Sequence, residues 1–213
     1  MIANNSNFKL FIFCSIFFSI VIKLLYVLLS EYYSFAFFVG ADAYGLYLSS
    51  LNYTNGISFV TSNNPLTYFY YFLGIIYFYT FENYIWACSI SIFVWFVSYI
   101  FLYKSMLLLK FDRLNIVYAS LIYSFLPSIA LITSTTLREV WQLFCLNFLL
   151  YLFVYLFTFN KKKILILLSM LVIFIFLFIL HRSLIVLSFV TFFLIFCTYL
   201  FNSNIKKIAI PGI

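Results

Sequence analysis

Long apolar runs, separated by short polar connectors, make up most of this sequence. A helix needs about twenty apolar residues to cross a hydrocarbon core of roughly 30 Å. Only helices and closed barrels satisfy their backbone groups in lipid, and continuous rather than alternating apolar runs favour helices. The sequence therefore predicts six membrane-spanning helices, over residues 8–29, 84–103, 116–134, 141–159, 164–180 and 184–201.

The segment from residue 31 to residue 65 breaks this apolar pattern. It contains two acids, Glu31 and Asp42, and no Lys or Arg. After Asp42, apolar residues recur at three- and four-residue spacing, which predicts a short helix on the membrane surface. We expect Asp42 to cap this helix and Asn55-Gly56 to end it.

The next apolar run, residues 66–81, is short. Its sixteen residues rise only about 24 Å as a helix, which is less than the thickness of the hydrocarbon core. Positive clusters after the second, fourth and sixth spans lie two crossings apart, so they share one face, the cytoplasmic one. Lys9 joins that face if residues 66–81 do not cross. We therefore expect six crossings, both termini in the cytoplasm, and residues 66–81 as an extracytoplasmic interfacial or re-entrant helix.

The composition excludes a water-soluble protein. Of the 213 residues, 67% are hydrophobic and 8% are charged, and a soluble domain of this length cannot bury so much apolar surface. We expect an all-α, polytopic integral membrane protein in which residues 1–213 form a single transmembrane domain. The net charge of +7 comes from residues spread between spans, as topology signals are, and implies no nucleic acid.

The residue types that bind metals form no cluster in the sequence. One His and scattered acids lack metal-ligand spacing. The four cysteines lie in four different apolar runs without C-x-x-C spacing, which is typical of small packing residues. They are Cys14, Cys88, Cys145 and Cys197.

The predicted topology brings most of the remaining charges to the outer interface. Acids and bases together at that depth suit the binding of an anionic lipid headgroup beside a hydroxyl that is being activated. Lys23 lies a few turns below, inside the first span, where an ammonium either snorkels to the interface or binds a partner. The interfacial residues are Glu31, Asp42, Glu82, Arg138, Glu139, His181 and Arg182.

Each candidate also has a purely structural interpretation. Asp42 is suited to a helix cap, and Thr136 with Glu139 matches a capping box. Arg138 could pair with a lipid headgroup, and His181-Arg182 could be an interfacial turn alone. None of these interpretations explains why all the candidates share one face.

The order of these motifs resembles the GT-C superfamily of polytopic glycosyltransferases, which use polyprenyl-phosphate sugars. Asp42 and Tyr44 are similar to its D-x-x-Y-like acidic motif, which opens a surface helix on the extracytoplasmic side. Asn64-Pro65-Leu66, at the start of a short helix that carries Gly74, resembles the proline-led juxtamembrane helix that follows in the family.

The later motifs continue this resemblance over nearly the whole chain. Pro127-Ser128 and residues 134–139 resemble the end of the third span, where the family places a second acid. His181-Arg182 matches the place of a basic residue that the family uses on the lipid-linked phosphate. Two departures are visible: Asp42 has no adjacent second acid, and six spans are fewer than in most members, so we expect a short or truncated module.

The resemblance implies a transferase acting on the outer side of a bacterial-type plasma membrane. Asp42 would deprotonate the acceptor hydroxyl, and Glu139 would orient the acceptor or a bound divalent cation, the only cofactor implied. Arg182, with Arg138 or His181, would stabilise the leaving lipid phosphate. Tyr44 and Lys23 complete the predicted substrate-binding residues. The implied partners are a polyprenyl-phosphate sugar donor, membrane lipids, and a glycan, lipid or protein acceptor.

Two other functions compete with this one. A polymerase or ligase of surface polysaccharide would use similar substrates on a different helix scaffold, with Arg138 and Arg182 essential and Asp42 dispensable. A non-catalytic membrane partner of a larger transferase would show no turnover alone.

Overall fold

The computed structural model describes residues 5–32, 40–54, 66–159 and 163–181, together with residues 186 and 188. This part of the chain is helical, and it contains no β-strand. The apolar runs identified in the sequence are therefore helical, which satisfies their backbone hydrogen bonds in lipid. The helices are α1 (Asn5–Tyr32), α2 (Gly40–Thr54), α3 (Leu66–Tyr79), α4 (Tyr84–Leu108), α5 (Arg113–Phe125), α6 (Pro127–Thr133), α7 (Arg138–Thr158) and α8 (Lys163–Leu180).

Four of the described helices, α1, α4, α7 and α8, are long and apolar enough to cross a membrane. The pair α5 and α6 passes the same test together and makes a fifth crossing if it is one broken span. The chain therefore forms a multi-pass helical membrane protein. The expected sixth span, residues 184–201, lies outside the described residues apart from positions 186 and 188.

The predicted third span, residues 116–134, is not one straight helix. It divides into α5 and α6, which meet at an angle of 56° around Leu126. Pro127 opens α6, where its missing N–H costs nothing, and it keeps the preceding residue out of the helical conformation. Leu126 accordingly has the extended angles φ −60° and ψ 121°.

Helices α4 and α7 form the centre of the bundle and make the most extensive contact between any two described helices. The Ser98 hydroxyl of α4 donates to the Leu143 carbonyl of α7 at 3.2 Å. Six residues later in α4, the Lys104 ammonium lies 5.9 Å from the ring centre of Tyr151, further along α7. The residue numbers rise together, so the two helices run parallel. The chain must cross back between them, and α5 with α6 provides that return.

The other helices pack on opposite sides of this central pair. On one side, α1, α5 and α6 enclose a core that includes Trp95, Ile116 and Val140. On the other side, α2, α3 and α8 enclose a second core that includes Phe69 and Leu149. Helices α1, α2, α5, α6 and α8 therefore contact the central pair directly, whereas α3 packs mainly on α2 and α8.

A small polar network lies inside the bundle and joins three helices. The Asn147 side-chain amide donates to the Ser98 hydroxyl and to the Tyr123 hydroxyl, both at 3.0 Å, and Tyr123 donates to Ser98 at 2.8 Å. These groups belong to α7, α4 and α5. In lipid there is little hydrophobic drive for helix association, so such bonds and close packing hold helices together.

Helix α3 is too short to span a membrane. Its 14 residues rise about 21 Å. Phe69, Leu73 and Tyr77, spaced four residues apart, are fully buried, and α3 packs on α2 and α8. The predicted helix over residues 66–81 is thus present, two residues shorter than expected.

We expect Asn147→Ala to lower the free energy of unfolding by about 1–2 kcal/mol, because it removes two donors from buried hydroxyls that gain no other partner. Ser169→Ala is the matched control, since the exposed Ser169 hydroxyl bonds only to the Leu165 carbonyl of its own helix. Equilibrium unfolding in detergent, followed by circular dichroism, measures both variants. Equal effects of the two substitutions would contradict a role for this network in joining the helices.

Candidate functional site

The directions of the helices bring several predicted site residues to one end of the bundle. Val27 of α1 packs with Cys88 of α4, while Phe8 lies near Arg113 at the start of α5, so α1 and α4 are antiparallel. Phe176, near the end of α8, contacts Trp141, near the start of α7. The end of α1, the start of α4, the start of α7 and the end of α8 therefore lie together.

We call this the acidic end, because Glu31, Glu82 and Glu139 lie at these helix termini. Arg138 and His181 lie at the same end. The opposite, basic end carries Lys104, Lys110, Arg113 and Lys163 with Asp112. This separation agrees with the sorting of charges that the sequence predicts.

The first turn of α2, which includes Asp42, is anchored at the acidic end. The Thr136 hydroxyl, in the turn before α7, donates to the Ala43 carbonyl at 2.5 Å, and both residues are fully buried. The neighbouring hydroxyls behave differently, because Thr133, Ser134 and Thr135 all bond to carbonyls of α6. Thr136 is thus the residue of this turn that ties α7's start to α2.

Two expectations about helix starts need correction. Helix α2 begins at Gly40, so Asp42 lies within its first turn and not at the cap. Helix α7 begins at Arg138 with Leu137 as its cap residue and without a side-chain cap bond. The capping box between Thr136 and Glu139 does not form, because the Thr136 hydroxyl reaches the carbonyl of α2 instead.

Glu139 lies in the first turn of α7, where the positive end of the helix dipole favours a carboxylate. Its Oε1 is 3.4 Å from Arg138 Nε, with the side chains 31% (Arg138) and 40% (Glu139) exposed. A pair this exposed contributes about 0–1 kcal/mol. The other carboxylate oxygen, Oε2, and the Gln142 amide nitrogen are buried atoms that have no hydrogen-bond partner among the described residues.

Gln142 was not predicted from the sequence. It follows Glu139 by three residues, which places both on the same face of α7. An acceptor oxygen beside a donor nitrogen matches a hydroxyl group, which both donates and accepts. The sequence signal that could have identified Gln142 is its three-residue spacing from Glu139 in an otherwise apolar helix.

Tyrosine rings from three helices pack in tilted and edge-to-face contacts beside the first turn of α2. The ring centre of Tyr44 lies 5.5 Å from that of Tyr84 and 6.0 Å from that of Tyr47, and Tyr47 contacts Tyr77 at 5.6 Å. Burial raises the pKa values of the Tyr47 and Tyr77 phenols, so both remain neutral. Tyr44 is 49% exposed and presents its ring at the surface.

Three of the predicted residues have limited descriptions. Asp42 belongs to α2, but its side chain lies outside the described residues, and so does Arg182. His181 follows α8 directly; it is exposed, and its backbone N–H donates to the Leu177 carbonyl at 2.8 Å. Among the described residues, no group of three or more His, Cys, Asp or Glu side chains could hold a metal ion.

Lys23 lies in the interior rather than at the acidic end. Its side chain is 1% exposed, so it does not snorkel. The ammonium donates to the Ser19 hydroxyl at 2.5 Å and to the Ser124 carbonyl at 3.3 Å, and it lies 3.7 Å from the ring centre of Trp95. Trp95 is eleven residues beyond Tyr84 along α4, about 16 Å from the acidic end at 1.5 Å per residue.

Comparison with protein-family models, with curated proteins and with solved structures found no match for this chain.

We expect Thr136→Val to loosen the first turns of α2, because valine keeps the shape but loses the bond to the Ala43 carbonyl. A bond worth about 1 kcal/mol changes local opening roughly fivefold. Hydrogen exchange of the peptide spanning residues 40–54 measures this directly. Thr136→Ser should retain protection, and Thr135→Val is the matched control because its hydroxyl bonds only within its own segment. Unchanged exchange in Thr136→Val would show that α2 is held by packing alone.

Proposed function

We propose that this protein is a GT-C-like membrane glycosyltransferase that moves a sugar from a polyprenyl-phosphate donor to an extracytoplasmic glycan, lipid or protein. The observation that carries the proposal is the Thr136–Ala43 bond. It anchors the turn of α2 that carries Asp42 beside the start of α7, which carries Arg138 and Glu139. This arrangement supports the pairing of an acid for the acceptor, Asp42, with a cation for the leaving phosphate, Arg138.

The reaction is a displacement at the anomeric carbon of the donor sugar. Asp42 accepts the proton of the acceptor hydroxyl as its oxygen bonds to that carbon, which is the usual role of a positioned carboxylate. The bond from the anomeric carbon to the phosphate oxygen breaks, and the electron pair leaves with the lipid phosphate. Positive charge beside that phosphate stabilises the charge that develops on it.

Arg182, together with Arg138 or His181, binds this phosphate. The contact with Glu139 engages Nε of Arg138, and the terminal nitrogens of a guanidinium form the fork that fits phosphate oxygens. His181 follows the last residue of α8 at the same end. A turn at the membrane interface lies at the same depth as the lipid phosphates.

Glu139 and Gln142 orient the acceptor in this proposal. Among the described residues, the buried Oε2 of Glu139 and Nε2 of Gln142 have no hydrogen-bond partner, and a sugar hydroxyl supplies the donor and the acceptor that they lack. The exposed ring of Tyr44 offers an apolar face on which a sugar ring can pack. We assign Lys23 no direct contact with substrate, because its ammonium is enclosed by protein groups.

The plasma membrane is the proposed location, with both termini in the cytoplasm and the acidic end outside. The support is the distribution of charge: the basic end carries Lys104, Lys110, Arg113 and Lys163, and positive residues are retained on the cytoplasmic side of a membrane.

We expect Asp42→Asn to lower sugar transfer by a hundredfold or more, since general-base catalysis contributes about 10²–10⁴ and an amide cannot accept the proton. Transfer of a radiolabelled sugar from a polyprenyl-phosphate donor in proteoliposomes is the assay. Glu82→Gln, an exposed acid at the same end, is the control and should retain activity.

Near-normal transfer by Asp42→Asn, together with loss of transfer in Arg138→Ala and Arg182→Ala, would favour the polysaccharide polymerase. No transfer by the wild type would favour a non-catalytic partner.

Substitutions of Arg182 test binding of the donor separately from activation of the acceptor. Arg182→Ala should weaken binding of a polyprenyl phosphate by one to two decades, because a charge-assisted bond is worth about 1.5–3 kcal/mol, and Arg182→Lys should weaken it less. Arg113→Ala, at the basic end, is the control and should bind normally. Binding to purified protein in nanodiscs gives all four affinities. Four equal affinities would end the assignment of Arg182 to the phosphate.

A further inference from the structure

Helix α1 contacts the break between α5 and α6 through two side chains. The Ser124 carbonyl, in the last turn of α5, accepts the Ser19 hydroxyl at 2.7 Å and the Lys23 ammonium at 3.3 Å. Around the break, the Leu126 N–H bonds to the Ile122 carbonyl, and the Ala130 N–H bonds to the Leu126 carbonyl. The Ser124 carbonyl is thus paired by side chains of α1 at the point where the backbone ladder of the span is interrupted.

The charge of Lys23 is balanced without a carboxylate. Among the described side chains, none forms an ion pair with Lys23. The ammonium instead lies at the carboxyl end of α5, where the helix dipole is negative, and over the electron-rich face of Trp95. A hydroxyl alone would satisfy the carbonyl, as Ser19 does. A cation adds an attraction that exists only while α5 ends at this place.

The other side of the same turn is held as well. Trp95 stacks on Tyr123, with ring centres 5.9 Å apart and planes at 15°, and Tyr123 is bonded to Ser98 and Asn147. Trp95 therefore contacts both the ammonium of α1 and a ring of α5. The last turn of α5 is fixed from α1, α4 and α7 together.

The bend decides where the following residues lie. Helix α6 has only 7 residues, and it leads directly to the turn of Thr136, which contacts the Ala43 carbonyl of α2. A change in the bend moves that turn relative to α2. The chain of contacts runs from Lys23 to Ser124, through α6, and then to Thr136 and the first turn of α2.

We propose that Lys23 is a positioning residue: by binding the Ser124 carbonyl it fixes the bend between α5 and α6, and so sets the distance between the first turn of α2 and the start of α7. The part of this inference that concerns sugar transfer rests on the proposed function. The part that concerns geometry does not, and it is measured without any substrate.

The geometric test uses pairs of spin labels in the full chain, with the four native cysteines changed to alanine. Labels replace Leu131 of α6 and Phe93, an exposed residue of α4. Straightening the bend by about 30° moves Leu131, five residues into α6, by roughly 3–4 Å at 1.5 Å per residue. Double electron–electron resonance resolves a shift of this size. A second pair, Leu114 of α5 with Phe93, monitors the rest of the bundle.

We expect Lys23→Met, which keeps the length of the side chain but not its charge, to shift or broaden the first distance and leave the second unchanged. Lys23→Arg should restore the wild-type distance, because it keeps the charge and the donors. Lys104→Met is the matched control, since Lys104 also lies near an aromatic ring but at the basic end. If Lys23→Met does not fold, the shorter neutral Lys23→Gln takes its place and should give a smaller shift in the same distance. An unchanged distance in the folded variant, Lys23→Met or its substitute, overturns the proposal.

Sugar transfer provides the second measurement. A misplacement of about 1 Å can cost a hundredfold in rate, so kcat of Lys23→Met should fall by roughly 10–100-fold while KM for the donor changes little, and Lys23→Arg should recover most of it. A shifted distance with no transfer by the wild type leaves the geometry established and removes the proposed function. A shifted distance with normal kcat removes the link between this bend and the reaction.

Discussion

Hydrocarbon offers no hydrogen bonds, so each backbone group that leaves a helical ladder inside the membrane needs a partner from the protein. This constraint governs the break between α5 and α6. Pro127 brings no N–H of its own, and the carbonyl of Ser124 is satisfied by Ser19 and Lys23 of a different helix. The polar side chains that α1 carries at the matching depth therefore help to stabilise a bend of 56° within a predicted span.

The same constraint accounts for the polar residues elsewhere in the core. Ser98, Tyr123 and Asn147 satisfy one another between α4, α5 and α7, and most serine and threonine hydroxyls return to carbonyls of their own helices. Where a hydroxyl reaches another helix instead, it joins two parts of the fold. Thr136 is such a case, and the placement of α2 at the acidic end depends on it.

Apolar pattern was sufficient to place most helices. Helix α4 starts at Tyr84 and helix α8 ends at Leu180, as predicted, because polar residues interrupt the apolar runs there. The bend at Leu126 was missed although Pro127 is visible, because whether a proline breaks a span or merely kinks it depends on partners from other helices. The capping box failed for a similar reason: the sequence pairs Thr136 with Glu139 locally, whereas the fold offers the Ala43 carbonyl.

The candidate site was predictable only as a set of charges at one end. Sequence order places Arg138 and Glu139 beside the end of α8, but it does not reveal that Oε2 of Glu139 and Nε2 of Gln142 have no hydrogen-bond partner in the part of the chain that the structure describes. Lys23 had two open interpretations, snorkelling or pairing, and its partner is a carbonyl with an aromatic face rather than an acid. Helix patterns do not encode such a partner, because backbone carbonyls carry no sequence signature.

Trp95 gives the molecule an optical reporter of its own. Of the three tryptophans, Trp95 is fully buried, its indole nitrogen has no hydrogen-bond partner among the described residues, and the Lys23 ammonium lies above its ring. An indole in dry surroundings emits at short wavelength, and a charge fixed over the ring shifts its transition energy further. With Trp86 and Trp141 replaced by phenylalanine, the fluorescence emission wavelength of Trp95 would report the contact between α1 and the bend in real time, without any attached label.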